Sequence, residues 1–152
     1  MAQHYQTVYV PEYARIYIER LQRPYTLADI EQIAKGQMQL EDAFTLLANR
    51  LLFCDTELTV AHVWAKHAFG ASTWIEQELQ RRKPHSLYLL MNIDLPWQPD
   101  PQREHPHLRQ YLFDQYEQEL IKRQVNYVVI SGTENQRLQS AINAIDKHIA
   151  VD

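Results

Sequence analysis

The chain has 152 residues, a formal net charge of −4, and 45% hydrophobic and 11% aromatic residues, enough apolar material to bury a core within one domain and too much for general disorder. Its acidic balance, with a pI near 6.0, argues against a broad nucleic-acid or anionic-membrane footprint. No apolar run reaches membrane-spanning length, residues 1–6 lack the apolar core of a signal peptide, and Cys54 is the single cysteine, so the expectation is a soluble cytoplasmic protein without a disulfide framework.

In chain order, Thr7-Val8-Tyr9-Val10 reads as a first strand, an apolar run that is continuous rather than alternating and so suits a buried parallel sheet. A helix is predicted over residues 27–48. Thr26 is its N-cap, Asp29 stands three residues on in capping-box position, and Pro24 closes off what precedes. Its apolar positions Ile30, Ile33, Ala34, Met38, Phe44, Leu47 and Ala48 follow a helical period, with Gly36 as a weak spot. A second strand, residues 51–54, runs into Asp55-Thr56-Glu57. Helices are predicted at 59–68 and at 73–82, the latter stopping before Pro84. A third strand covers 87–93 and leads into a proline-rich loop from Pro96 to Pro106, long enough and well enough placed to be functional. A helix over 108–124, a strand over 127–130 and a helix over 134–149 complete the chain. The last helix carries Leu138, Ala141, Ile142, Ile145 and Ile149 at helical spacing. Strands alternating with helices predict an α/β fold in a single domain over residues 1–152.

Ligands of such folds sit in the crevice beyond the carboxyl ends of the strands. Asp55 lies there, where a carboxylate can hold Mg²⁺ or take a proton from a substrate hydroxyl. On spacing alone the residue serves equally well as a cap for the following helix. Glu12, Tyr13 and Arg15 follow the first strand; they could hold a polyhydroxylated substrate, but a surface ion pair at a helix start is the favoured reading of the residues by themselves. The loop after the third strand brings Trp97, Asp100, Arg103 and Arg109 into one stretch, as arginines that neutralise phosphate charge or as a stiff surface turn. The histidines show no zinc-ligand spacing, since His62 and His67 do not share a helix face. Cys54 reads as a small packed hydrophobe. The glycines Gly36, Gly70 and Gly132 lie in no Gly-x-x-x-x-Gly-Lys-Ser/Thr phosphate loop.

Four segments in order carry a family resemblance: Val10-Pro11-Glu12-Tyr13-Ala14-Arg15, Phe53-Cys54-Asp55-Thr56-Glu57, the stretch from Asp94 to Glu104, and Tyr127-Val128-Val129-Ile130-Ser131-Gly132. Together they resemble the ribosylnicotinamide kinase domain of NadR-type proteins, AAA-like domains within the P-loop NTPase superfamily. The resemblance covers essentially the whole chain. It implies a P-loop kinase-like parallel sheet with helices on both faces, from which the central first strand and the phosphate loop are missing: the family has a strand, that loop and most of a helix before its Pro-Glu-Tyr-x-Arg segment. The chain is therefore expected to be N-terminally truncated relative to the family. The strands flanking the gap should then pair directly or accept a partner segment or second copy, because unpaired inner edges are costly.

The resemblance implies roles residue by residue. Asp55 is the acid that positions Mg²⁺ or the acceptor hydroxyl. Glu57 is a second candidate, although the family more often has Asp there. Glu12, Tyr13 and Arg15 form the nucleoside-side wall; Trp97, on the loop alone, reads as a substrate-binding lid anchor or as simple core filler. Arg103 is the catalytic lid arginine that closes on ATP, supported by Arg109, and Gly132 and Thr133 form the turn near adenine. The implied activity is transfer of the ATP γ-phosphoryl group to a ribonucleoside, nicotinamide riboside giving nicotinamide mononucleotide, with ATP and Mg²⁺ as cofactors. Without a phosphate loop the 152 residues alone are expected to be inactive. The alternatives are a non-catalytic nucleotide- or nucleoside-binding regulatory module and a fragment that works by complementation.

Overall fold

The strongest local signal in the sequence forms as a reciprocal cap: Asp29 N–H donates to Thr26 Oγ1, and Thr26 N–H donates to Asp29 Oδ2 at 2.7 Å. The computed structural model describes residues 1–99 and 106–150. It divides into two compact units, Met1–Lys83 and Pro84–Asp152. No helix among the described residues is long and apolar enough to cross a membrane.

The first unit runs β1 (Tyr9–Val10), α1 (Tyr13–Glu19), α2 (Leu27–Thr45), β2 (Phe53–Cys54), α3 (Leu58–Phe69) and α4 (Thr73–Arg81). β1 and β2 are parallel, with Tyr9 opposite Phe53 and Val10 opposite Cys54. Asp55 N–H extends the ladder by donating to Val10 O at 3.1 Å. At the other end Thr7 Oγ1 donates to Leu51 O at 2.6 Å and accepts from Asn49 N–H at 3.0 Å. The core lies among the helices: Ile30 and Ala34 of α2 cluster with Leu58, Ala61 and Ala65 of α3 and with Ile75 and Leu79 of α4. Burying a side chain such as Ile75, wholly inaccessible here, is worth about 1.5–3 kcal/mol, so these contacts dominate the unit's stability. Ser72 caps α4 by accepting from Ile75 N–H, and its hydroxyl donates to Glu31 at 2.7 Å, fastening α4 to α2.

The second unit contains β3 (Tyr88–Met91), a 3₁₀ turn (Pro106–Leu108), α5 (Arg109–Lys122), β4 (Tyr127–Ile130) and α6 (Glu134–Ile149). β3 and β4 are parallel, in register from Tyr88 opposite Tyr127 to Met91 opposite Ile130. Leu120, Ile130, Ala141, Ile142 and Ile145 are its buried apolar residues.

The alternation of helices and parallel strands is as the sequence predicts, with differences that have local causes. Among the described residues the strands form two two-stranded parallel sheets, β1 with β2 and β3 with β4. Each strand therefore has a ladder partner on one side, and Tyr9, Met91, Val128 and Val129 are exposed where continuous burial was expected. The helix predicted to reach residue 48 stops at Thr45, leaving Leu47 exposed, and Leu138 is exposed on the apolar stripe of α6. For α1 the sequence offers a helix start at Glu12–Arg15 but no span: it has seven residues, none buried, and its N-cap Glu12 makes no side-chain cap bond. No periodicity could mark it.

Candidate functional site

The carboxyl ends of β1 and β2 bring together Glu12, Tyr13 and Arg15 on one side and Asp55, Thr56 and Glu57 on the other. Asp55 is exposed, and among the described residues its carboxylate makes no hydrogen bond or ion pair. The capping role open to it in the sequence belongs to Glu57, which is the N-cap of α3 and accepts from Thr59 N–H at 2.8 Å. Glu12 and Arg15 form the ion pair expected of a helix start, 3.8 Å apart and substantially solvated, so its energetic worth is small. Cys54, between these groups in sequence, has its thiol pushed up to about 12 by burial and then by Glu41 and Glu57; it stays protonated at neutral pH and is a packing group, as expected.

Tyr13 is held by two adjacent residues of α2. Its N–H donates to Gln37 Oε1 at 2.9 Å, and its ring covers Gly36 so closely that a Cβ there would lie 2.2 Å from Tyr13 Cε1. The glycine that reads as a helix weak spot is thus the seat of the ring. Gln37 is buried and its Nε2 donates to Thr56 O at 2.9 Å. Sequence reasoning missed Gln37, and the one available signal was a polar residue on the buried side of α2. Farther along α1, Tyr17 OH donates to Asp29, which also accepts both guanidinium ends of Arg23. Arg23 first, then the Thr26 hydroxyl, holds the Asp29 carboxyl well below the ordinary carboxylate range.

At the carboxyl ends of β3 and β4 the polar groups bind one another. Asp94 accepts from Gly132 N–H at 2.7 Å and pairs with Arg137. Arg137 also donates to Gly132 O at 3.0 Å and Asn92 O at 3.2 Å, and Asn92 Nδ2 donates to Ser131 Oγ at 2.9 Å. The Gly132 N–H first, with help from Arg137, lowers the Asp94 pKa. Gly132 has φ +100°, a conformation that favours glycine, and Thr133 is the exposed N-cap of α6. Arg109 donates to Ile93 O at 3.1 Å and Leu95 O at 2.8 Å, so in this conformation it fastens the turn after β3. Trp97 is half-buried. Arg103 and Asp100 lie outside the described residues. Sequence reasoning gave Arg137 no role, because its partners come from two strand ends distant in sequence.

A family profile for the AAA domain matches residues 1–137. Among solved structures, a NadR protein in complex with NAD and AMP-PNP superposes with a TM-score of 0.75 and 18% identity, covering 97% of this chain and 43% of that chain. A NadR protein in complex with NR superposes with a TM-score of 0.78 and 17% identity, covering 99% of this chain and 46% of that one. The chain spans less than half the length of these proteins. The likeness shows the fold, in agreement with the NadR-type resemblance carried by the sequence. No curated protein sequence matches the chain.

Proposed function

Because the chain belongs to the AAA domain family, a group of nucleotide-handling domains, we propose that the carboxyl end of its β1–β2 pair is the nucleoside side of an ATP-dependent nucleoside kinase site. Nicotinamide riboside is the proposed acceptor and nicotinamide mononucleotide the product, a reading supported by the likeness to a NadR protein in complex with NR. The observation that carries it is the exposed Asp55 carboxylate on a turn whose neighbours are all engaged.

Phosphoryl transfer asks the protein for positioning and electrostatic stabilisation more than for covalent chemistry. Mg²⁺ is commonly held by one or two carboxylates together with phosphate oxygens and water. Asp55 fits that donor set, whereas Glu57 already accepts from Thr59 N–H. When bound, the ion would neutralise charge on the phosphoryl oxygens. Glu12 and Arg15 are proposed to hold the ribose hydroxyls, and Tyr13, locked on Gly36 and Gln37, to flank the base. On the nucleotide side the proposal keeps Gly132 and Thr133 as the turn near adenine and Arg103 as the charge-neutralising lid arginine. Arg109 takes part only if it leaves the carbonyls of Ile93 and Leu95. Such ligands and a lone thiol suit the cytoplasm.

The test is calorimetric titration with nicotinamide riboside in the presence of Mg²⁺ and AMP-PNP. Saturable heat is expected, and no binding up to about 1 mM ligand, a threshold of about −4 kcal/mol, would sink the reading.

A further inference from the structure

Gln37 is a buried polar residue whose side-chain amide is bonded at both ends. It sits within α2, the longest helix among the described residues, and is only 4% exposed. Its side chain reaches two segments more than forty residues apart, the first turn of α1 and the turn after β2: Oε1 accepts from Tyr13 N–H and Nε2 donates to Thr56 O, both at 2.9 Å. The Tyr13 N–H is a first-turn donor of α1, for which the helix itself offers no acceptor, and Glu12 does not cap it. Main-chain chemistry dictates the amide orientation, because one segment presents only a donor and the other only an acceptor. A buried group with both ends used has one geometry available to it. The start of α1 carries Glu12, Tyr13 and Arg15, and the turn after β2 carries Asp55 and Glu57.

We infer that Gln37 is a positioning residue that couples the start of α1 to the turn after β2, so that the acid at Asp55 and the nucleoside wall at Glu12 and Tyr13 keep one relative placement. This inference rests on the nucleoside-kinase reading of the site. The acid loop has a second anchor, Asp55 N–H on Val10 O at 3.1 Å, but that bond ties it to β1 ahead of Pro11. Gln37 alone among the described residues bonds both Tyr13 N–H and Thr56 O. Gly36, seating the Tyr13 ring beside it, makes α2 the common reference for ring and amide.

The experiment compares the wild-type chain with Gln37→Leu and Gln37→Glu, using nicotinamide riboside titrations from about pH 5 to pH 8 well below each variant's melting temperature. Gln39→Glu, an exposed site on the same helix, is the control. Leu removes both bonds, and affinity should fall about tenfold at every pH, the scale of lost support around a site. The Glu variant is the sharper probe. Ionised, it still accepts from Tyr13 N–H but sets an oxygen against Thr56 O; protonated, it reproduces both bonds of the amide. Burial raises its pKa, so its affinity should be low at pH 8 and return toward the wild-type value as pH falls, while the wild type and Gln39→Glu change little. Such a protonation rescue supports the coupling; wild-type affinity in both Gln37 variants overturns it and leaves the kinase reading standing.

Should the wild type bind no nicotinamide riboside, the kinase reading fails and amide exchange decides the coupling by itself. In Gln37→Leu the Tyr13 N–H must lose protection directly, and the Asp55 N–H must lose it as well although its acceptor, Val10 O, is untouched. Loss at both supports the coupling. Loss at Tyr13 with Asp55 unchanged overturns it.

Discussion

At the carboxyl end of β1 and β2 the carboxylate of Asp55 is exposed, while its turn is held by Asp55 N–H on Val10 O, by Thr56 O on Gln37 and by Glu57 on Thr59 N–H; at the carboxyl end of β3 and β4 the acid Asp94 is itself bound, to Gly132 N–H and Arg137. The two ends are built from the same parts, a parallel pair and a carboxylate just beyond it. The difference lies in what holds each turn. Where helix and backbone groups fasten the turn, the carboxylate is left to meet a ligand. Where the carboxylate fastens the turn, it shapes the backbone around Gly132 instead. A strand-end acid is therefore a candidate for chemistry only after its turn's other supports have been counted.

Neutralising each acid in turn tests that contrast most strongly. Asp55→Asn should weaken Mg²⁺-dependent nucleotide or nucleoside binding by at least about tenfold, with its melting temperature unchanged. Asp94→Asn should lower the melting temperature, because the Gly132 N–H and Arg137 lose a charged acceptor. A stable Asp94→Asn beside a destabilised Asp55→Asn would invert the comparison.

Acid unfolding sharpens it further. Asp94 and Asp29 both have pKa values lowered from the ordinary 3.8 by their partners. A depressed carboxyl contributes stability that is complete above its unfolded value and lost as pH falls. The loss should begin near pH 4 and deepen on further acidification. Asp94→Asn should flatten part of that acid limb in a pH series of thermal melts, and an unchanged limb would remove Asp94 from the account. The smallest effect is expected at Gly36. Alanine there gains about 1 kcal/mol of helix propensity but must displace the Tyr13 ring, and overpacking of this kind costs about 1–3 kcal/mol. Guanidinium unfolding should show a net loss of about 1 kcal/mol; a stabilised Gly36→Ala would mean that the ring moves aside freely.

Several elements could be read from the residues because their causes are local. Thr26 and Asp29 lie within one helical turn, so the cap of α2 formed where expected. α6 and β4 occupy the predicted spans 134–149 and 127–130, and the family segments pointed to the same fold that the solved structures share. Only the start of α1 could be read, because it has neither a side-chain cap nor a buried face to mark its span. The candidate site was half legible. Composition and order placed Glu12, Tyr13, Arg15, Asp55 and Glu57 at strand ends, but which acid caps α3 depended on backbone angles at Glu57 that spacing does not reveal.

By itself the sequence determined the alternation of helices and strands, the capping of α2 and the placing of acids and arginines just beyond strands, since each follows from residues a few positions apart. The tertiary structure decided which of those groups remain available. Gln37 meets Tyr13 and Thr56, Gly36 meets the Tyr13 ring, and Arg137 meets Asn92 and Asp94 only once distant segments have packed. Hydrogen bonds between such partners depend on distances that no local pattern of residues encodes.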